Sequence, residues 1–132
     1  MRRKAFYLGL SVICLLCSCS GSGNPSKGYK MYKDEQTKYM QSIGGTGKEI
    51  SYKSCKYVYI TGDGNMDAGS LLGNVYYSIK YTMTLKSGSK DVSDFVFYDS
   101  ENDGVYPTTS TAYDYAFSLV SNGSFKGEKG TL

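Results

Sequence analysis

The chain has 132 residues, 15 Lys+Arg against 12 Asp+Glu, no histidine, four cysteines and 14 tyrosines. Three of the basic residues are Arg2, Arg3 and Lys4, so the remainder carries 12 basic and 12 acidic side chains and is neutral, which argues against a nucleic-acid partner or a polybasic grip on anionic lipid. Zero histidine removes the usual general base, the Ser-His and Cys-His nucleophile pairs and His-ligated zinc; with no Ser-Lys or paired-carboxylate constellation legible, the expectation is that the protein is not an enzyme.

Arg2, Arg3 and Lys4 are followed by an apolar run from Ala5 to Leu16, broken only by Gly9 and Ser11. Twelve residues make ~18 Å of helix, short of a ~30 Å hydrocarbon core, so the run reads as an export signal rather than a membrane span. Leu16-Cys17-Ser18-Cys19 resembles the bacterial lipoprotein lipobox, with Leu16 at −3, Ser18 at −1 and Cys19 at +1. Cys17 or Cys14 as the modified residue would place bulky Leu16 or Ile13 at −1. The resemblance implies a signal peptide over residues 1–18, diacylglyceryl transfer to the Cys19 sulfur, cleavage before Cys19 and N-acylation, as with palmitate. Ser20 at +2, not Asp, points by the same analogy to the outer rather than the inner membrane. Two or three acyl chains anchor stably where one does not.

Residues 19–28 read as a lipidated tether, because Ser20-Gly21-Ser22-Gly23-Asn24-Pro25-Ser26-Lys27-Gly28 is rich in Gly and Ser. Residues 29–132 read as a single small domain. Tyr32, Tyr39, Met40 and Ile43, with Gln36 between, predict an amphipathic helix over Tyr29 to Ile43 that stops at Gly44-Gly45. Gly44 to Lys48 lacks the Ser or Thr of a phosphate loop, with Glu49 in that place, and reads as a turn.

Beyond Gly47 the period becomes two. Ile50 to Thr61 is rich in β-formers, with Tyr57 and Tyr59 expected on the side of Lys53 and Thr61. Val75 to Lys86 alternates strictly: Val75, Tyr77, Ile79, Tyr81, Met83 and Leu85 face one way, while Tyr76, Ser78, Lys80 and Thr82 face an expected wet side. Ser87-Gly88-Ser89 turns the chain into Val92 to Tyr98. Tyr113 to Ser121 alternates again and predicts a fourth strand, Asn122-Gly123 a hairpin turn, and Ser124 to Lys126 the start of a fifth; Gly127 to Leu132 carries little core. The expected fold is α+β, one N-terminal helix followed by an antiparallel sheet of four or five strands, with a small mainly-β sandwich as the alternative.

Three features are candidate sites beyond Cys19. Asp99, Glu101 and Asp103 with Gly104 match the front half of a calcium loop, although Ser110 stands where a bidentate Glu belongs; calcium is the one cofactor they suggest. Asp63, Asn65 and Asp67 repeat the spacing without its Gly. The tyrosines, Tyr76, Tyr57 and Tyr59 above all, suit a contact surface for a protein or glycan, against the plainer reading that Tyr is a good half-buried strand residue. Cys55 reads as a buried apolar strand residue without a disulfide partner. The function expected is therefore a lipid-anchored envelope protein with a binding or structural role; an inhibitor or immunity-type lipoprotein is the alternative and a small enzyme the third reading.

Overall fold

The computed structural model describes residues 24–63 and 71–132. The signal, the lipobox and Cys19 lie outside them. In chain order the elements are α1 (Pro25–Ser42), β1 (Ile50–Asp63), β2 (Asn74–Leu85), β3 (Gly88–Asp99), β4 (Gly104–Pro107), α2 (Ser110–Ser121) and β5 (Phe125–Thr131). The strands form one five-stranded sheet in the order β4-β3-β2-β1-β5, every neighbouring pair antiparallel. The fold is α+β, as expected, but a helix covers each face.

Helix α1 begins inside the stretch expected to be tether. The Asn24 side chain accepts from the Ser26 and Lys27 N–H groups and Pro25 holds the first helical position. An Asn cap followed by Pro satisfies orphan donors and presets φ, which outweighs the Gly-Ser composition around it. Gly28 is buried because a Cβ there would run into the Tyr77 hydroxyl and the Tyr98 Cβ; glycine lets α1 settle onto the sheet. The buried row is Gly28, Tyr32 and Met40, with Gln36 between them donating to the Tyr81 hydroxyl at 3.3 Å. Tyr39 and Ile43, expected inward, are 59% and 60% exposed, since only this one i,i+4 ridge lies on the sheet. The helix stops where expected: Gly44 takes φ +98° and the Gly45 N–H returns to the Met40 carbonyl at 2.8 Å.

Val75, Tyr77, Ile79 and Tyr81 of β2 pack under α1 with Tyr32, Cys55, Val96 and Tyr98. The opposite side of β2 is wet only in part. Tyr76, with Val58, Ile60 and Phe125, packs under α2 through Tyr113, Ala116 and Leu119, while Lys80 and Thr84 are open. The β2–β3 hairpin forms as expected, with its ladder reaching Leu85 opposite Gly88. The ladders of β1 slip at Lys53 and at Thr61, so neither shares a face with Tyr57 and Tyr59 in simple alternation.

The expected strand from Tyr113 to Ser121 is helix α2. Thr109 caps it, accepting from the Ala112 N–H at 3.0 Å, and Tyr113, Ala116 and Leu119 supply a buried face at helical spacing. The alternation of Tyr113, Tyr115, Phe117 and Leu119 fits a strand equally well on paper. The decision comes from β1 and β2, whose second face would otherwise leave Val58, Ile60 and Tyr76 in water, at roughly 1.5–3 kcal/mol for each large apolar side chain. The fourth strand is instead the short Gly104–Pro107 segment. Asn122-Gly123 ends α2 rather than turning a hairpin, with Gly123 at φ +81°. The tail contributes little core beyond Phe125, as expected, yet it is a full edge strand paired to β1.

Candidate binding surface

Several of the tyrosines prove to be core residues tied down by their hydroxyls. Under α1, Tyr32 donates to Asp94 Oδ2 at 2.9 Å, Tyr77 to the Pro25 carbonyl and Tyr98 to Asp103 Oδ1 at 2.6 Å. At the far edge Tyr57 lies over Gly130 and donates to Glu128 Oε1 at 3.0 Å. Burial pushes the phenol pKa of Tyr32, Tyr77 and Tyr98 well up, and the carboxylates beside Tyr32 and Tyr98 push further. Burial also pushes the Tyr52 phenol up to about 12, and its hydroxyl is buried with no hydrogen-bond partner among the described residues. Tyr76, expected on the wet face, is buried and stacked on Phe97.

The acidic loop after β3 is organised around its own chain. Asp99 Oδ1 accepts from the Glu101 and Asn102 N–H groups, and Oδ2 accepts from Asn102 Nδ2. Asp103, at φ +51°, receives the Tyr98 hydroxyl and the Lys27 ammonium, the latter at 2.9 Å. Burial raises the Asp103 pKa, but Tyr98 and Lys27 together outweigh it and the net direction is down. A lysine from α1 thus stands beside the carboxylate expected to face calcium, and Glu101 is exposed. Among the described residues no group of three His, Cys, Asp or Glu side chains is placed to hold a metal ion. Asp63 ends β1, and Asn65 and Asp67 lie outside the described residues.

Glu49 folds back onto the Gly-rich turn before β1, accepting from the Thr46 and Gly47 N–H groups at 2.9 and 2.7 Å, bonds that lower its pKa. The turn's donors face a carboxylate of their own chain. Cys55 is fully buried, and burial pushes its thiol up to about 12 against the opposing pull of Lys33, so the thiolate is suppressed at neutral pH.

Among the described residues, a recess and an aromatic surface face outward. A recess of about 150 Å³ lies between α1 and the β3–β4 edge, with Tyr32, Glu35, Asp94 and Val105 on its walls. It is smaller than the ~300–1,000 Å³ of ordinary small-molecule sites. Both Asp94 oxygens are already engaged, one by Tyr32 and one by the Phe95 N–H at 3.0 Å. The aromatic surface is on the other side of the sheet. Helix α2 packs chiefly on β5, β1 and β2, which leaves the α2 side of β3 and β4 with partly open rings. Tyr106, Phe97 and Tyr76 form a row with centroids 5.6 Å apart at each step, and Phe95, Tyr113 and Phe117 form a second at 6.0 and 6.4 Å. Tyr106 and Phe117 are 41% and 42% exposed, and the Lys129 ammonium lies 4.7 Å over the Phe117 ring. This strip was not read from the sequence. The alternation of Phe95 and Phe97 was visible, but their exposure depends on where α2 comes to rest.

No protein-family model matches the chain, and neither a curated protein nor a solved structure matches it.

Proposed function

We propose that this is a lipid-anchored bacterial envelope protein with a binding role, held by lipid on Cys19 and engaging a protein partner through the aromatic strip of Phe95, Phe97, Tyr106 and Phe117. The anchor rests on Leu16-Cys17-Ser18-Cys19 and the short apolar run before it. With the helix cap at Asn24, five residue steps separate it from Cys19, at most about 18 Å of chain. The domain is thus tethered close to the lipid. The observation that carries the binding role is the strip itself: adjoining aromatic rings, partly open, at and beyond the margin of the one helix that covers this face. Rings of this kind give contact area at low entropy cost, and aromatic residues are enriched at interface cores.

The anchor is tested by labelling cells with an alkyne fatty acid: the native chain takes label and Cys19→Ala accumulates as unlabelled precursor, whereas equal labelling of both refutes it. The surface is tested with a photo-crosslinking amino acid at Tyr106 or Phe117, compared with Tyr39 on α1. A discrete protein adduct at the first two positions and not the third is the expected outcome. Adducts that are the same at all three, or that consist of polysaccharide, overturn the protein-partner reading.

A further inference from the structure

The two edges of the sheet are unequal. On one side the edge strand β4 is four residues long, ends in Pro107, which has no N–H to offer, and covers only Val96 to Asp99 of β3, so that the edge there is broken between two strands. The β5 edge runs for seven residues, Phe125-Lys126-Gly127-Glu128-Lys129-Gly130-Thr131, and from Lys126 to Lys129 every residue is exposed. The Leu132 N–H bonds to the Cys55 carbonyl at 2.8 Å, which sets the phase of the β1–β5 ladder. Even-numbered residues of β5 direct their backbone groups at β1, and Gly127 and Lys129 direct theirs outward. An edge of this length with its amides turned out is a template for another strand.

Its charges select the occupant. Lys126 and Glu128 lie on the α1 side of the strand, two residues apart and of opposite sign. Lys126 has no ion-pair partner among the described residues, and Glu128 receives the Tyr57 hydroxyl on one oxygen only. Lys129 belongs to the other side, donating to the Ser121 hydroxyl at 2.9 Å. A second copy pairing antiparallel about a two-fold axis, with outward amides meeting outward amides, has four central registers. Gly127 opposite residue 125 of the second copy sets Lys126 against Lys126, opposite 129 sets Glu128 against Glu128, and opposite 131 sets Lys129 against Lys129. Gly127 opposite Gly127 sets Lys126 against Glu128 twice. Unlike charges directly opposite stabilise a strand pair and like charges oppose it.

We infer that the protein forms a two-fold dimer through β5, with Gly127 opposite Gly127 and reciprocal Lys126–Glu128 pairs, joining two five-stranded sheets into one of ten strands. An axis normal to the sheet puts both α1 helices on one side of it and both aromatic strips on the other. The interface is isologous, each copy giving its β5 edge to the other, so pairing through this edge stops at two.

The test is sedimentation of the full chain, under reducing conditions, in a detergent matched in density to the solvent. Four forms are compared: native, Lys126→Glu, Glu128→Lys and the double swap. Native chain and double swap sediment as dimers. Each single swap places like charges opposite one another twice and weakens association at least about tenfold. Thermal unfolding of each variant separates a lost dimer from a lost fold, and the double swap guards against the loss of the Tyr57–Glu128 contact, which it does not restore. Hydrogen exchange at the Gly127 and Lys129 amides gives a second readout, slow in the native dimer and fast in either single swap. A monomeric native chain, or single swaps that dimerise as well as the native chain, overturns the inference.

Discussion

The two faces of the sheet are built from different chemistry. The α1 face is largely phenolic: Tyr32, Tyr77, Tyr81 and Tyr98 fill it, and each hydroxyl reaches a partner on the helix, the strands or the following turn. The α2 face relies chiefly on Val58, Ile60, Leu119 and phenylalanines, with Tyr76 and Tyr113 beside them, and its helix covers only part of it. A tyrosine core is anchored at the ring by packing and at the rim by hydrogen bonds, which fixes the helix in one place. The α2 face is phenolic only at Tyr76 and Tyr113, and the part its helix leaves uncovered holds partly open rings. High tyrosine content in this chain is therefore mostly architecture.

The sharpest way to break the contrast is alkali. Tyr32, Tyr77 and Tyr98 are 4%, 0% and 1% exposed and their folded pKa values are raised, so their neutral forms favour the folded state. That stability is complete below the unfolded pKa of ~10 and is lost as pH rises, because the unfolded chain ionises first. Each group removes about 1.4 kcal/mol per pH unit, so the three together approach about 4 kcal/mol per unit above pH 10. A domain of ordinary stability, ~5–15 kcal/mol, should unfold within a few pH units of that point. Urea titrations at stepped pH, with phenolate absorbance as the second signal, measure it. A flat stability between pH 10 and 11 would show that the phenols are not held neutral. Cys55, also raised, steepens the fall from about pH 9.

On the other face, Leu119→Ala removes a buried anchor of α2 and should cost about 2–4 kcal/mol in urea unfolding. Exchange of amides in α2 should accelerate more than exchange in α1, since α2 has fewer polar ties to the sheet. Equal acceleration of both helices would mean that the two faces unfold as one unit.

The β2–β3 hairpin was legible because long unbroken alternation leaves a strand little competition. Helix α2 was not, because Tyr113 to Leu119 satisfies both periods; Pro107, the Thr109 cap and Ala116 were the local signals for a helix, and the bare second face of the sheet decided it. Strand β5 was legible only at its start, Ser124 to Lys126, since Lys126 to Thr131 has no apolar residue and is held by backbone pairing to β1. Asn24-Pro25 carried a readable helix start that the surrounding glycines and serines obscured. The surface was misplaced for the same reason as α2: Tyr76 is covered by the helix that replaced the expected strand, and the open rings lie at and beyond that helix's margin.

The smallest effects differ in sign within the α1 face. Tyr98→Phe takes away the hydroxyl that Asp103 receives at 2.6 Å and should cost about 1–2 kcal/mol at neutral pH. Asp103 is held low in the folded state, so its contribution is present above the unfolded carboxyl pKa and lost as pH falls through the folded one; the gap between native and Tyr98→Phe should narrow in acid. Tyr52→Phe removes a buried hydroxyl that has no partner among the described residues, so the same chemical change should be neutral or stabilising by up to about 1 kcal/mol. Paired thermal melts of the two variants give the comparison directly. If Tyr52→Phe destabilises as much as Tyr98→Phe, the ring edge rather than the hydroxyl's partner sets the energy of this face, and the phenolic core is a matter of shape alone.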